Sequence, residues 1–131
     1  MDSRKNARNE LFKLVFEVCF QDHSEFLFDE FLANESIGED NKNFVKEIYS
    51  GIMENKDMLL DEISKYVKGY TVDRLFKVDL AILLIAFYEI KFQSTDKKVV
   101  VNEAVELAKK YSTPKSGSFI NGVLASLIKD K

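Results

Sequence analysis

Cysteine, histidine, proline and glycine are scarce: one cysteine, one histidine, one proline and five glycines in 131 residues. A lone cysteine, Cys19, excludes an internal disulfide and any cysteine cluster for zinc. Its place within an apolar helix reads as a small buried hydrophobe. The lone histidine, His23, stands at a helix boundary with no serine or cysteine nucleophile tied to it, so nucleophilic catalysis lacks its parts. No glycine-rich turn opens a helix as a phosphate cradle requires; Gly117 and Gly122 are isolated. Zinc and calcium ligand spacings are missing too, and acid pairs such as Glu103 with Glu106 read as solvated helix surface. These absences lead us to expect a binding protein and no enzyme, with neither metal nor cofactor. The longest apolar run, Leu80 to Tyr88, lies between Asp79 and Glu89 and falls well short of the ~20 residues of a membrane-spanning helix. The charged start (Asp2, Arg4, Lys5, Arg8) is not that of a secretory signal, and the cytoplasm is the expected compartment.

What is present is helical. Apolar residues make up 46% and charged residues 31%, a globular balance, and the length suits one domain over 1–131 with a core that needs no staple. Ser3 is placed to cap a first helix reaching about Gln21. Ala7, Leu11, Leu14, Val15 and Val18 form one stripe on it, and Phe12, Phe16 and Phe20 form a second. A helix apolar on two sides is gripped on two sides, so this one should be central. Ser24 opens a second helix ending near Asn34, and Asn41 caps a third. A fourth runs from about Lys56 to before Gly69, with a short turn from Thr71 through Phe76. A fifth, from about Val78 to Gln93, is apolar all round and too long for a strand, which makes it a core helix. Residues 95–101 read as an extended connector, and Asn102 caps a sixth helix to Tyr111. Pro114 breaks the chain, and a last helix begins at Ser116 or Ser118, with Ile120, Val123, Leu124, Leu127 and Ile128 on one face. The sum is an all-α, irregular bundle of about seven helices.

The net charge of −3 argues mildly against nucleic acid, but distribution matters more than the total. Arg4 and Arg8, four apart, share a helix face with Lys5 beside it, a geometry suited to phosphates; a solvated helix end fits the same spacing. In Lys115-Ser116-Gly117-Ser118-Phe119, the phenylalanine falls about 100° off the buried stripe. An aromatic beside serine hydroxyls and free helix N–H groups suits a base and a phosphate, while packing under the preceding loop is the bland alternative.

Three segments then carry a resemblance. Val101-Asn102-Glu103-Ala104-Val105-Glu106-Leu107-Ala108-Lys109-Lys110-Tyr111, Phe119-Ile120-Asn121-Gly122-Val123-Leu124 and Leu83-Leu84-Ile85-Ala86-Phe87-Tyr88-Glu89-Ile90 are similar, in order and spacing, to motifs of the bacterial transcription antitermination factor NusB family. Ala7-Arg8 and Phe16 fall where that family has its opening Ala-Arg and a later aromatic. Leu84 replaces an arginine that many members carry, and Lys97-Lys98 stand where a proline is common. The resemblance implies two packed helical subdomains held together by the first helix. It also implies binding to the single-stranded boxA element of nascent ribosomal-RNA transcripts, and to NusE, a small-subunit ribosomal protein, within the RNA polymerase antitermination complex. Carried across, Arg4, Lys5, Arg8, Lys115, Ser116 and Phe119 would meet RNA, while Phe16 and Asp79 would meet the protein partner. Asn102 and Gly122 would be structural, Gly122 by allowing helices to approach. The resemblance allows monomers and homodimers. Two alternatives stand beside it: a helical interaction domain that has lost RNA binding, and the NusB-like part of an RNA methyltransferase, which would need a further cofactor domain.

Overall fold

The structure, a computed structural model, describes residues 3–19, 25–67, 69 and 71–130. Among these, seven helices and no strand are found: α1 (Ser3–Val18), α2 (Glu25–Ala33), α3 (Glu39–Glu54), α4 (Lys56–Tyr66), α5 (Lys77–Phe92), α6 (Lys97–Tyr111) and α7 (Pro114–Lys129), with a single 3-10 turn at Val72–Arg74. Phe20, Gln21, His23 and Ser24 lie outside the described residues.

Two groups of helices meet along α1 and α5. In the first, α1 packs on α2 and α3; in the second, α5 packs on α4, α6 and α7. The joint follows from the apolar pattern. On α1, Ala7, Leu11, Leu14, Val15 and Val18 are buried, and so is Phe12 from the second stripe. Phe12 stacks on Tyr111 of α6 at 4.6 Å between ring centres, so α1 reaches the second group on that side as well. Every residue of α5 from Asp79 to Ile90 is buried. A helix with no polar face has no solvent side to present, and it becomes the post around which the others close.

Several helix starts depart from the sequence expectation. α6 begins at Lys97 and not at Asn102, because the Asp96 carboxylate accepts a hydrogen bond from the Lys98 backbone N–H at 2.8 Å. The valine run 99–101 reads as extended by propensity, but Val100 is buried against the core, and packing overrides propensity. Asn102 is therefore an exposed residue within the helix. α3 starts at Glu39 after Gly38, ahead of Asn41. α7 starts at Pro114, whose missing N–H costs nothing at the first helical position. The proline that stops α6 thus opens α7, which puts Lys115, Ser116 and Gly117 in a helical turn where a loop was expected.

Two glycines exchange roles. Gly122 is exposed with nothing within 4 Å of where a Cβ would stand, so it mediates no helix approach. Gly51 on α3 is buried directly under the Tyr88 ring of α5, and a Cβ there would run into that ring. Gly51→Ala should destabilise the protein by ~1–3 kcal/mol through overpacking, despite the better helix propensity of alanine. Gly122→Ala should be neutral or slightly stabilising. Denaturant midpoints of the two variants check the contrast.

Candidate nucleic-acid and partner interface

The basic start of α1 is not a row of free cations. Arg8 and Glu89 of α5 form a bidentate pair, with Nη2 donating at 2.8 Å and Nε at 3.2 Å. The two residues are only 5% and 1% exposed. Glu89 ends a run that is buried on every side, and a carboxylate there is tolerable only with a charged, hydrogen-bonding partner. Arg8 is that partner; the expectation of a surface phosphate ligand at this position gives way to a buried strut between α1 and α5. Arg4, one turn earlier, lies nearer solvent. Its Nη2 is 3.0 Å from the exposed Asp40 carboxylate, and its guanidinium lies 4.1 Å over the Phe44 ring, which Arg8 also approaches at 5.2 Å. Lys5 is exposed and stands 4.0 Å from Glu106. Arg4 and Lys5 thus present charge at the surface, each opposite an acid that a phosphate would displace.

The second site lies where the turn before α5 meets the turn between α6 and α7. Arg74, Leu75, Phe76, Asp79, Thr113, Pro114, Lys115, Ser116 and Phe119 enclose an open groove of about 550 Å³. Its rings are Phe76, 61% exposed, and Phe119, half-buried against the core. Arg74 and Lys115 are exposed beside them. The floor is a closed polar network. Asp79 accepts from Ser112 Oγ at 2.9 Å and from Ser116 Oγ at 3.1 Å; the two hydroxyls are 2.8 Å apart, and Thr113 Oγ1 stands 3.0 Å from Ser116 Oγ. Ser116 is 3% exposed and Asp79 5%. Ser116 therefore ties α7 to α5 and does not offer a free hydroxyl. Asp79 forms groove floor, not a projecting charge. Phe119 sits in the second turn of α7, beyond the backbone N–H groups left open at that helix start.

Phe16 is half-buried on α1 and stacks on Phe12 at 5.7 Å, extending the aromatic ladder that Phe12 makes with Tyr111. Cys19 follows it. Burial pushes its thiol up to about 11, against a smaller opposing pull from Lys56 and Lys77, so it stays protonated at neutral pH and is a poor nucleophile. Among the described residues no group of three or more histidine, cysteine, aspartate or glutamate side chains converges on a metal position, and no helix is long and apolar enough to cross a membrane.

Sequence reasoning missed Phe76 and Arg74. Neither belongs to a stripe or motif, and both acquire meaning only when the short turn before α5 folds against α7. Glu89 carried a readable signal: one acid ending a long apolar run needs a partner, and Arg8 is the buried arginine that supplies it.

Comparison with known proteins decides the family. The model described as the NusB family matches residues 5–129. This chain belongs to the NusB family. The transcription antitermination protein NusB of Finegoldia magna is 39% identical over 98% of this chain and 96% of its own length. That of Agathobacter rectalis is 42% identical over 94% and 97%. Among solved structures, T. maritima NusB superposes with a TM-score of 0.88 at 34% identity, covering 97% of this chain and 91% of that one. A structure of antitermination factors NusB and NusE in complex with dsRNA gives a TM-score of 0.88 at 27% identity, covering 100% and 99%.

Placed on the NusB fold, the three motifs have separate tasks. The segment from Val101 to Tyr111 is the body of α6 and buries Ala104, Leu107 and Ala108. The segment from Leu83 to Ile90 is the core of α5 and carries Glu89 as its one acid. The segment from Phe119 to Leu124 buries Ile120, Val123 and Leu124 and turns Phe119 toward the groove. Most of the family pattern thus encodes packing, and Phe119 is its contribution to an open surface.

Proposed function

We propose that this chain is a transcription antitermination factor that binds boxA RNA together with a NusE-type ribosomal protein, helping RNA polymerase resist termination. It acts as a cytoplasmic binding protein, not an enzyme, and 1–131 works as one unit. The observation that carries the reading is the groove between α5 and α7, where two aromatic rings and two cations share one mouth. Aromatic planes beside cations suit unstacked bases and the phosphates that link them. The likeness over the whole chain to one chain of a structure of NusB and NusE in complex with dsRNA supports a role that joins RNA and NusE.

Within it, Phe119 stacks a base, Lys115 and Arg74 hold the adjoining phosphates, and Arg4 and Lys5 add phosphate contacts from α1. The protein partner meets Phe16, while Asp79, on the floor of the RNA groove, holds Ser112 and Ser116 in place. Two modest surfaces then act jointly, since each bound component raises the effective concentration of the other. Transcription with purified RNA polymerase through a terminator placed after boxA tests the function: adding this protein with its ribosomal partner raises read-through, and scrambling boxA abolishes the gain. Read-through that ignores boxA would refute the reading.

The paired state of α1 favours a second reading, a NusB-like interaction domain without RNA binding, because Arg4 faces Asp40 and Lys5 faces Glu106. Exposed pairs of this kind are worth only ~0–1 kcal/mol, so phosphates can displace the acids. Asp40→Asn should therefore tighten RNA binding by up to about five-fold. Arg4→Ala should weaken it across sequences and reduce the salt slope by about 1. Salt-dependent RNA titrations of both variants measure this; an unchanged slope in Arg4→Ala would remove α1 from the interface.

A further inference from the structure

A second cationic surface lies at the far end of the α6–α7 pair. Lys97, Lys98, Val101 and Asn102 at the start of α6, with Ala125, Ile128 and Lys129 at the end of α7, enclose an open groove of about 440 Å³. All three lysines are exposed. Of the nearby acids, Asp130 is turned to the Tyr66 hydroxyl and Glu106 faces Lys5 and Lys109, while Asp96 caps α6 beside Lys97 and Lys98 and offsets part of their charge. This surface is continuous with the groove of the proposed RNA site. Lys115, Ser118, Gly122, Ala125 and Lys129 follow one another at intervals of three and four, hence along one face of α7, and α7 contains no acid. Ser118, Asn121, Gly122, Ala125 and Ser126 are exposed there. The stretch is polar, not greasy.

We propose that this face carries RNA onward from the Phe119 groove, and that Lys97, Lys98 and Lys129 form its distal phosphate contact. The inference rests on the RNA reading of the Phe119 groove and extends it. Lys115 and Lys129 are fourteen residues apart on α7, ~21 Å at ~1.5 Å per residue. At the ~3.4 Å spacing of a stacked strand that is about six nucleotides. The lysines read no sequence; they lengthen the footprint and bind the flanking RNA by charge.

The test is fluorescence anisotropy with four labelled single-stranded RNAs: boxA alone, boxA extended by ten uridines at its 5′ end, boxA extended by ten uridines at its 3′ end, and twenty uridines. At ~50 mM salt one extended RNA should bind about ten-fold tighter than boxA alone, with a salt slope steeper by about 2. The Lys97→Gln/Lys98→Gln/Lys129→Gln protein should lose that increment while binding boxA alone as the wild type does. An increment that survives the triple substitution, or no increment at all, overturns the proposal. If boxA alone is not bound even with NusE present, the Phe119 reading fails by itself; twenty uridines then decide the distal face, supported by binding lost in the triple variant and overturned by binding unchanged. Poly-L-glutamate bound through the three lysines with no RNA increment would assign the face to an acidic peptide instead.

Discussion

Arg8→Ala should lower folding stability by ~3–5 kcal/mol, the largest effect we expect of any charged residue here. The reason is what remains behind. Glu89 is 1% exposed, and without the guanidinium its carboxylate is a buried, unpaired charge. Against a total stability of ~5–15 kcal/mol, such a loss brings the protein close to unfolding at physiological temperature. Removing both charges is far milder: Arg8→Met with Glu89→Leu keeps the apolar volume, and such replacements of buried pairs are often neutral or stabilising. Arg8→Lys should fall between, because a point charge cannot reproduce the two-pronged contact. The folded double variant also separates strut from ligand. If Arg8 only joins α1 to α5, that protein keeps the salt slope of RNA binding. A stable Arg8→Ala protein would contradict the buried pair; a flattened slope in the double variant would return Arg8 to the RNA surface.

Phe119→Ala carries the largest effect on binding. Stacking on an aromatic is typically worth ~1–3 kcal/mol per base, so boxA affinity should fall roughly five- to more than a hundred-fold, while Phe119→Tyr stays mild. The ring is half-buried, so the stability loss should stay below the ~3–5 kcal/mol of deleting a fully buried phenylalanine. Phe76→Ala is the companion measurement. That ring is 61% exposed at the same mouth, so its loss should leave the melting temperature almost unchanged and still weaken RNA binding. Melts and titrations on the same samples distinguish the outcomes. A large fall in melting temperature with unaltered affinity of the folded fraction would make Phe119 a core residue and displace the RNA surface.

Much of the fold was legible because apolar spacing reports burial directly. The stripe on α7 appears as read apart from the half-buried Ile128, α1 buries its first stripe and Phe12 of the second with Phe16 half-buried, and α5 is buried from Asp79 to Ile90 as its apolar run requires. The helix starts were less legible. Asp96 and Pro114 determine where α6 and α7 begin, and each competes with neighbours, Asn102 and Ser116, of equal local merit; packing of Val100 and of Ser116 settles the choice. For the candidate site, sequence brought forward Phe119 and Lys115, which share the groove, but also Arg8 and Ser116, which are buried. An arginine at helical spacing looks the same whether its face meets solvent or a glutamate eighty-one residues away. Phe76, Arg74 and Gly51 were not legible at all, since their roles arise from contacts between helices that no local pattern records.

The central claim, RNA and a ribosomal protein held jointly, is tested most directly by one thermodynamic cycle. Isothermal titration would measure boxA RNA binding to this protein alone and to its complex with NusE. The account predicts that the complex binds boxA at least ten-fold tighter, a coupling of about 1.4 kcal/mol, and that RNA tightens NusE binding by the same factor. Equal RNA affinity in the two titrations, or no binding of boxA by the complex, would contradict it.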